Sequence, residues 1–130
     1  MSSLQVPWFV VGGNHDHYGN ISAQVAYSKV SPRWKFPDFY HSHQFKIPNT
    51  DRELAVILID TVILCGNTDD HTPGSHLPGP ECVSAAEDQW QWVEDQLEAA
   101  SSADYIIVAG HYPVWSVAEH GPTALLVSRL

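Results

Sequence analysis

Apolar residues in this chain come in short bursts, and each burst stops at glycine or aspartate. Trp8–Val11 (WFVV) ends at Gly12 and Gly13, Ala55–Ile59 (AVILI) at Asp60, and Tyr105–Ala109 (YIIVA) at Gly110. Runs of this length predict strands, and a continuous apolar run fits a strand covered on both faces. The stretch from Phe39 to Ile47 alternates instead. Phe39, His41, His43, Phe45 and Ile47 then share one side of a strand, and Pro48–Asp51 makes the turn after it. Helical spacings lie between the strands. Residues 21–30 predict a short helix with Ile21, Val25 and Ala26 on one face. Ser31 and Pro32 end it, because the residue before proline avoids helical geometry. Ser84 and Glu87 read as a capping box opening a helix to about Ala100, with Trp90, Val93 and Leu97 on its buried face. Residues 67–80, crowded with proline, glycine and polar groups, predict a long loop. A last helix is expected to start near Pro122 or Thr123. The order strand, helix, strands, helix, strand predicts a layered α/β domain without internal repeats.

The chain has 130 residues, enough for one modest domain with a core. Six Lys and Arg against 15 Asp and Glu give a formal net charge of −9. That balance argues against a sequence-blind grip on nucleic acid or an anionic membrane, both of which need basic patches. It leaves room for a small anionic substrate, because a bound metal ion reverses the local field. No apolar run approaches membrane-spanning length. The start, MSSLQVPWFVV, has no basic segment ahead of an apolar one, so no signal peptide is expected. Cys65 and Cys82 allow one disulfide or none and do not fix the compartment. Asn20-Ile21-Ser22 is a glycosylation sequon that matters only in a secreted chain.

Chemistry gathers where the strands stop. GGNHDH, Gly12 to His17, releases an amide, two imidazoles and a carboxylate in one short loop. An ordinary polar turn uses the same residues. The repetition is harder to dismiss: WFVV-GGNHD, VILI-DT and IIVA-GHY share one plan, and ligands in α/β sheets sit at the carboxyl ends of strands. If these strands are neighbours, Asn14, His15, Asp60 and His111 converge. An amide oxygen beside an imidazole nitrogen fits one half of a two-metal hydrolytic site, which also needs a bridging carboxylate. His41, His43, His71 and His76 read as solvated surface, or at most as weak ion-binding groups.

Gly13-Asn14-His15-Asp16 resembles the GNH(D/E) motif of the metallophosphoesterases. Residues 110–123, GHYPVWSVAEHGPT, resemble one branch of them, the tartrate-resistant (type 5) purple acid phosphatases. VPWFVVGGNHDHYGNISAQVAYSKVSPRWKFP and LIDTVILCGN match the same family. The resemblance implies a metallophosphoesterase-type β-sandwich flanked by helices and hydrolysis of phosphate monoesters, phosphoproteins among them. It implies a dinuclear centre of iron with a second iron or zinc, with Asn14 and His111 as ligands of the divalent ion. His15 and His120 then contact the substrate phosphate and help protonate the leaving group. Asp16 and His17 orient the loop, Asp60 ties down loops without ligand duty, and Asn20 carries a glycan in a lysosomal or secreted protein. Other family motifs are not matched: the DxG near the N-terminus, GDxxY, and the C-terminal GHxH. The chain therefore resembles the middle ~40% of a complete enzyme, a central fragment of one domain, as in a truncated isoform or partial gene model. The family pairs a cysteine equivalent to Cys65 with one after EHGPT, where this chain has Leu125. Cys82 is then the substitute partner, or Cys65 is free. The competing expectation is a non-catalytic metal-binding or interaction protein.

Overall fold

The structure, a computed structural model, describes residues 5–68, 77–118 and 121–130. Its elements run β1 (Trp8–Phe9), α1 (Asn14–Tyr18), α2 (Ile21–Tyr27), β2 (Trp34–Lys35), β3 (His41–Lys46), β4 (Glu53–Leu58), α3 (Thr61–Cys65), α4 (Val83–Ala99), β5 (Tyr105–Ala109) and α5 (Ala124–Arg129). They form two sheets in an α/β arrangement. β1 and β2 pair in parallel, and β3-β4-β5 make a mixed sheet with β4 in the middle. β3 and β4 are antiparallel, joined by the expected turn, in which Asn49 takes φ 62°. β4 and β5 are parallel, so the chain must cross back over the sheet, and α3 and α4 make that crossing.

The core forms where the central strand meets the crossover helices. Ile57 and Ile59 pack with Leu64 and Cys65 of α3, Trp90 and Val93 of α4, and Leu126 of α5. The apolar run in β4 fills this core with Ala55, Ile57 and Ile59 on one face, while on the other Leu58 is buried and Leu54 and Val56 are half-buried, so the strand is covered less evenly than its unbroken hydrophobicity predicts. Trp90 faces the core, while Trp92 lies at the edge of α4 with its ring 4.8 Å from that of Tyr40. Leu97 is partly buried against the same cluster.

Several expectations change. The first strand is two residues long rather than four. It is not buried: Trp8 is 50% exposed and Phe9 39%. It pairs only with β2, a strand too short to give a periodic signal. The 21–30 helix stops at Tyr27, and Ala26 is exposed while Ile21 is buried. No capping box opens α4. Cys82 is its N-cap residue without a side-chain bond, and Ser84 lies inside the first turn with its hydroxyl 3.3 Å from the Cys82 sulfur. The apolar stretch after Asp60, to which no element was assigned, is helix α3. Both cysteines are free, Cys65 buried and Cys82 exposed. His41 is not solvated surface. It is buried, and its Nε2 donates to the carbonyl of Val10 at 3.0 Å. No described helix is long and apolar enough to cross a membrane.

Candidate metal centre

The GGNHD segment is a short helix entered through two glycines. Gly13 is the N-cap of α1 in extended geometry, and its N–H donates to the Asp16 carboxylate at 2.9 Å. The second Asp16 oxygen accepts from the Gln24 amide at 2.6 Å. These two bonds, with the nearby imidazoles, hold the Asp16 carboxyl below its usual range, the Gln24 bond first among them. Asp16 thus ties α1 to α2 and orients the loop, as expected. Gly13 has a further reason to lack a side chain. A Cβ there would stand 2.9–3.0 Å from the ring of His111.

That ring arrives from the far end of the chain. His111 follows β5 through Gly110, where a Cβ would lie 2.6 Å from Thr61 Cγ2. Its Nε2 stands 3.0 Å from Asn14 Oδ1, across 97 residues of sequence. The atoms can be assigned from chemistry. Asn14 Nδ2 donates to the carbonyl of Thr68 at 3.1 Å, so Oδ1 is the atom turned to His111. An amide oxygen only accepts, so His111 Nε2 carries the hydrogen between them.

A single platform supports both loops. Asp60, fully buried, caps α3 by accepting from the N–H groups of Val62 and Ile63 at 2.9 and 3.0 Å. Its other oxygen lies 2.7 Å from His17 Nε2, which anchors α1 from behind. Gln89 of α4 holds Asp60 by the backbone, accepting from its N–H at 2.8 Å and donating to its carbonyl at 3.0 Å. On the other side, the Tyr112 N–H donates to Thr61 Oγ1 at 3.0 Å and its hydroxyl to the Gly66 carbonyl at 3.3 Å. Burial pushes the Tyr112 phenol up to about 12, so it stays a donor throughout the physiological range. Asn67 Nδ2 donates to the carbonyl of Asn14 at 3.1 Å.

Of the four residues expected to converge, Asn14 and His111 meet. Asp60 lies behind them, bonded to His17. His15 is exposed on α1 with its ring edge-on to Tyr18, centroids 6.1 Å apart. His120, His71 and His76 fall outside the described residues. Asn14 and His111 do not meet through neighbouring strands. β4 and β5 are neighbours, but β1 belongs to the other sheet, and the platform brings its loop across.

Whether these atoms suit a metal ion is a question of kind and spacing. An amide oxygen and an imidazole nitrogen are both metal donors. Ligands on adjacent corners of an octahedral shell with bonds of about 2.1 Å stand about 3 Å apart, which is the separation of Asn14 Oδ1 and His111 Nε2. The pair therefore fits two positions of one ion. Among the described residues no group of three or more His, Cys, Asp or Glu joins them.

The calcineurin-like phosphoesterase family matches residues 1–128 of this chain. The chain belongs to that family. Human tartrate-resistant acid phosphatase type 5 is 54% identical over 130 residues, covering 99% of this chain and 39% of the relative. The mouse protein of the same name is 53% identical over 126 residues, covering 96% and 38%. Purple acid phosphatase 4 of Arabidopsis thaliana is 31% identical over 137 residues, covering 98% and 37%. Among solved structures, GAP50, "the anchor in the inner membrane complex of Plasmodium", superimposes with a TM-score of 0.73 at 25% identity. It covers 95% of this chain and 38% of that one. The phosphoesterase chain described here thus spans about 38% of the length of the curated relatives it matches. The residues that sequence reasoning missed, Gln24, Thr61, Asn67, Gln89 and Tyr112, act through one or two bonds to other segments, which leave no local pattern.

Proposed function

We propose that this chain is the central part of a single phosphoesterase domain. In this reading it carries one half of a dinuclear metal centre, and the complete protein is an acid phosphatase acting on phosphate monoesters or phosphoproteins. The observation that carries the reading is the meeting of Asn14 Oδ1 and His111 Nε2 at 3.0 Å from loops 97 residues apart. Asn14 and His111 would hold the divalent ion, iron or zinc, beside an iron at the other position, for which neither residue is a ligand. When bound, such a pair of ions supplies Lewis-acid polarisation of the phosphoryl group.

The chain's own residues do the positioning. Asn14 presents an oxygen whose direction is fixed by Thr68, and His111 presents Nε2 once its proton is displaced. His15 and His120 steady the phosphate and pass a proton to the leaving oxygen. Imidazoles are largely protonated at acid pH, which suits that task. Water adds to phosphorus, the ester P–O bond breaks, and the alcohol leaves with the donated proton. Asn20 is exposed and caps α2 through Oδ1, accepting from Ala23 N–H at 3.0 Å. The cap therefore does not use its amide nitrogen, to which a glycan would be joined in a lysosomal or secreted protein.

The test is hydrolysis of an aryl phosphate at pH 5 by this chain, alone and joined to the flanking segments of the human relative, in iron and zinc. Activity only in the joined protein, lost in Asn14→Ala and His111→Ala, is expected. Full activity in both substituted forms would refute it. A second reading, a non-catalytic interaction protein, is favoured by the exposed apolar face of β5 and by the likeness to GAP50, the anchor in the inner membrane complex of Plasmodium. Nucleotides compared with aryl phosphates at acid and neutral pH would expose a nucleotidase instead.

A further inference from the structure

Three bonds meet on Asn14. Its oxygen faces His111, its amide nitrogen is held by the Thr68 carbonyl, and its main-chain carbonyl accepts from Asn67 Nδ2 at 3.1 Å. Two of the three come from consecutive residues just after α3. Gly66 turns the chain there with φ 91°, and a Cβ on it would strike the Gly79 backbone. Tyr112 holds the same turn by its bond to the Gly66 carbonyl. The side chain of Asn67 is therefore delivered to Asn14 by a rigid turn.

The other half of the Asn67 amide is the informative part. Its Oδ1 is buried and has no hydrogen-bond partner among the described residues. A buried acceptor left unpaired destabilises a fold, and native structures hold few of them. An apolar residue of the same shape would remove that penalty at the loss of one bond. For stability alone, asparagine is a poor choice at this position. The gain lies in the direction of Nδ2, which fixes the backbone of Asn14 and hence the origin of the side chain that faces His111.

We propose that Asn67 is a positioning residue for Asn14: it holds the Asn14 carbonyl so that Oδ1 and His111 Nε2 stay at the spacing of two ligands of one divalent ion. This rests on the reading of Asn14 and His111 as metal donors. Partners that orient a ligand typically change metal affinity by about 10- to 100-fold when removed. A residue that serves only the fold would change stability instead.

The experiment uses the 130-residue chain, labelled with nitrogen-15, and Mn2+ as the probe. Paramagnetic broadening of the Asn14 side-chain amide and the His111 ring signals reports occupancy of the pair, and the melting temperature is measured alongside. The wild-type chain is expected to show broadening centred on these two groups that Asn14→Ala abolishes. Asn67→Leu is expected to need at least about tenfold more Mn2+ for the same broadening, at an unchanged or higher melting temperature. If Asn67→Leu binds like wild type while Asn14→Ala does not, the positioning role is overturned and the metal reading stands. If Asn67→Leu loses binding only because its melting temperature collapses, the residue is structural and the proposal is likewise overturned. If wild type shows no broadening at Asn14 and His111, the metal reading itself fails, and the inference with it.

Discussion

Gln89 lies in the middle of α4 with none of its surface exposed, and both ends of its amide are committed to one residue. Its oxygen accepts from the Asp60 N–H at 2.8 Å and its nitrogen donates to the Asp60 carbonyl at 3.0 Å. Gln89→Leu keeps the volume and removes both bonds. The Asp60 N–H is then buried without a partner, at about 1–3 kcal/mol, while its carbonyl keeps the Leu64 N–H at 3.3 Å and loses one bond worth about 1 kcal/mol. Burying a leucine in place of an amide returns about 1–2 kcal/mol. The net loss is about 1.5 kcal/mol, a sizeable part of the 5–15 kcal/mol typical of small domains. With a urea slope of about 1.5 kcal/mol/M, the unfolding midpoint should fall by about 1 M. The assay is urea unfolding followed by tryptophan fluorescence, with buried Trp90 next to the site of change. Gln91→Leu is the control, because Gln91 is exposed and its amide donates to Asp95 on the same helix face, at 3.0 Å. It should stay within about 0.5 kcal/mol of wild type. A midpoint for Gln89→Leu no lower than that of Gln91→Leu would refute the claim that Asp60 is held by this bond pair.

Gly13→Ala should weaken binding of a divalent probe at Asn14 and His111, because its Cβ would stand 2.9–3.0 Å from the His111 ring. Overpacking of this kind destabilises by about 1–3 kcal/mol, read from the urea midpoint. Burial holds His41 and His43 below the ordinary histidine value of 6.5, with the neighbouring imidazole and Lys35 adding to the effect on His43 and Asp38 opposing it at His41. The folded state thus favours their neutral forms, and the stability they contribute is complete above about 6.5 and lost as pH falls below it. Urea midpoints at pH 7.5 and 5.5 should differ less in His43→Leu than in wild type; equal differences would sink the argument. β5 is an edge strand with Ile106 and Ile107 at 40% and 49% exposure. Ile107→Lys should lower the self-association seen by size-exclusion chromatography with light scattering, since a charge on such a strand blocks edge pairing.

What the sequence displayed well was anything written in neighbouring residues. The apolar run of β4 and the 83–99 helix were legible because burial selects their apolar residues, and the YIIVA strand was legible as an apolar run although Tyr105–Val108 are exposed. The strand-end glycines were legible as the places where the chain turns, and of the four residues expected to converge Asn14 and His111 meet. Trp8 and Phe9 misled for a physical reason. Apolar character predicts burial only when a second layer exists to cover it, and β1 pairs with a two-residue strand alone. His41 misled in the other direction. Its alternation placed it on a strand face, yet nothing local shows that the face is turned to the Val10 carbonyl and to the His43 ring, with His41 Nδ1 2.8 Å from His43 Nε2. The Ser84 and Glu87 pair had the right spacing for a capping box two residues inside the true helix start.

The arrangement behind the two donors explains why a short segment between a strand and a loop carries so many polar bonds. Asn14 follows β1 and His111 follows β5, strands of different sheets, so neither sheet can fix their separation. The segment 60–68 touches both loops. Asp60 and Asn67 reach α1 through His17 and the Asn14 carbonyl. Thr61 and Gly66 reach the β5 loop through Tyr112. Packing alone would leave a gap between two loops free to vary. Directed bonds at both ends of one capped helix set it, because a hydrogen bond weakens steeply away from its preferred distance and angle. The fully buried Asp60, which holds no ion in this reading, is then as necessary to the spacing of the pair as the two donors themselves.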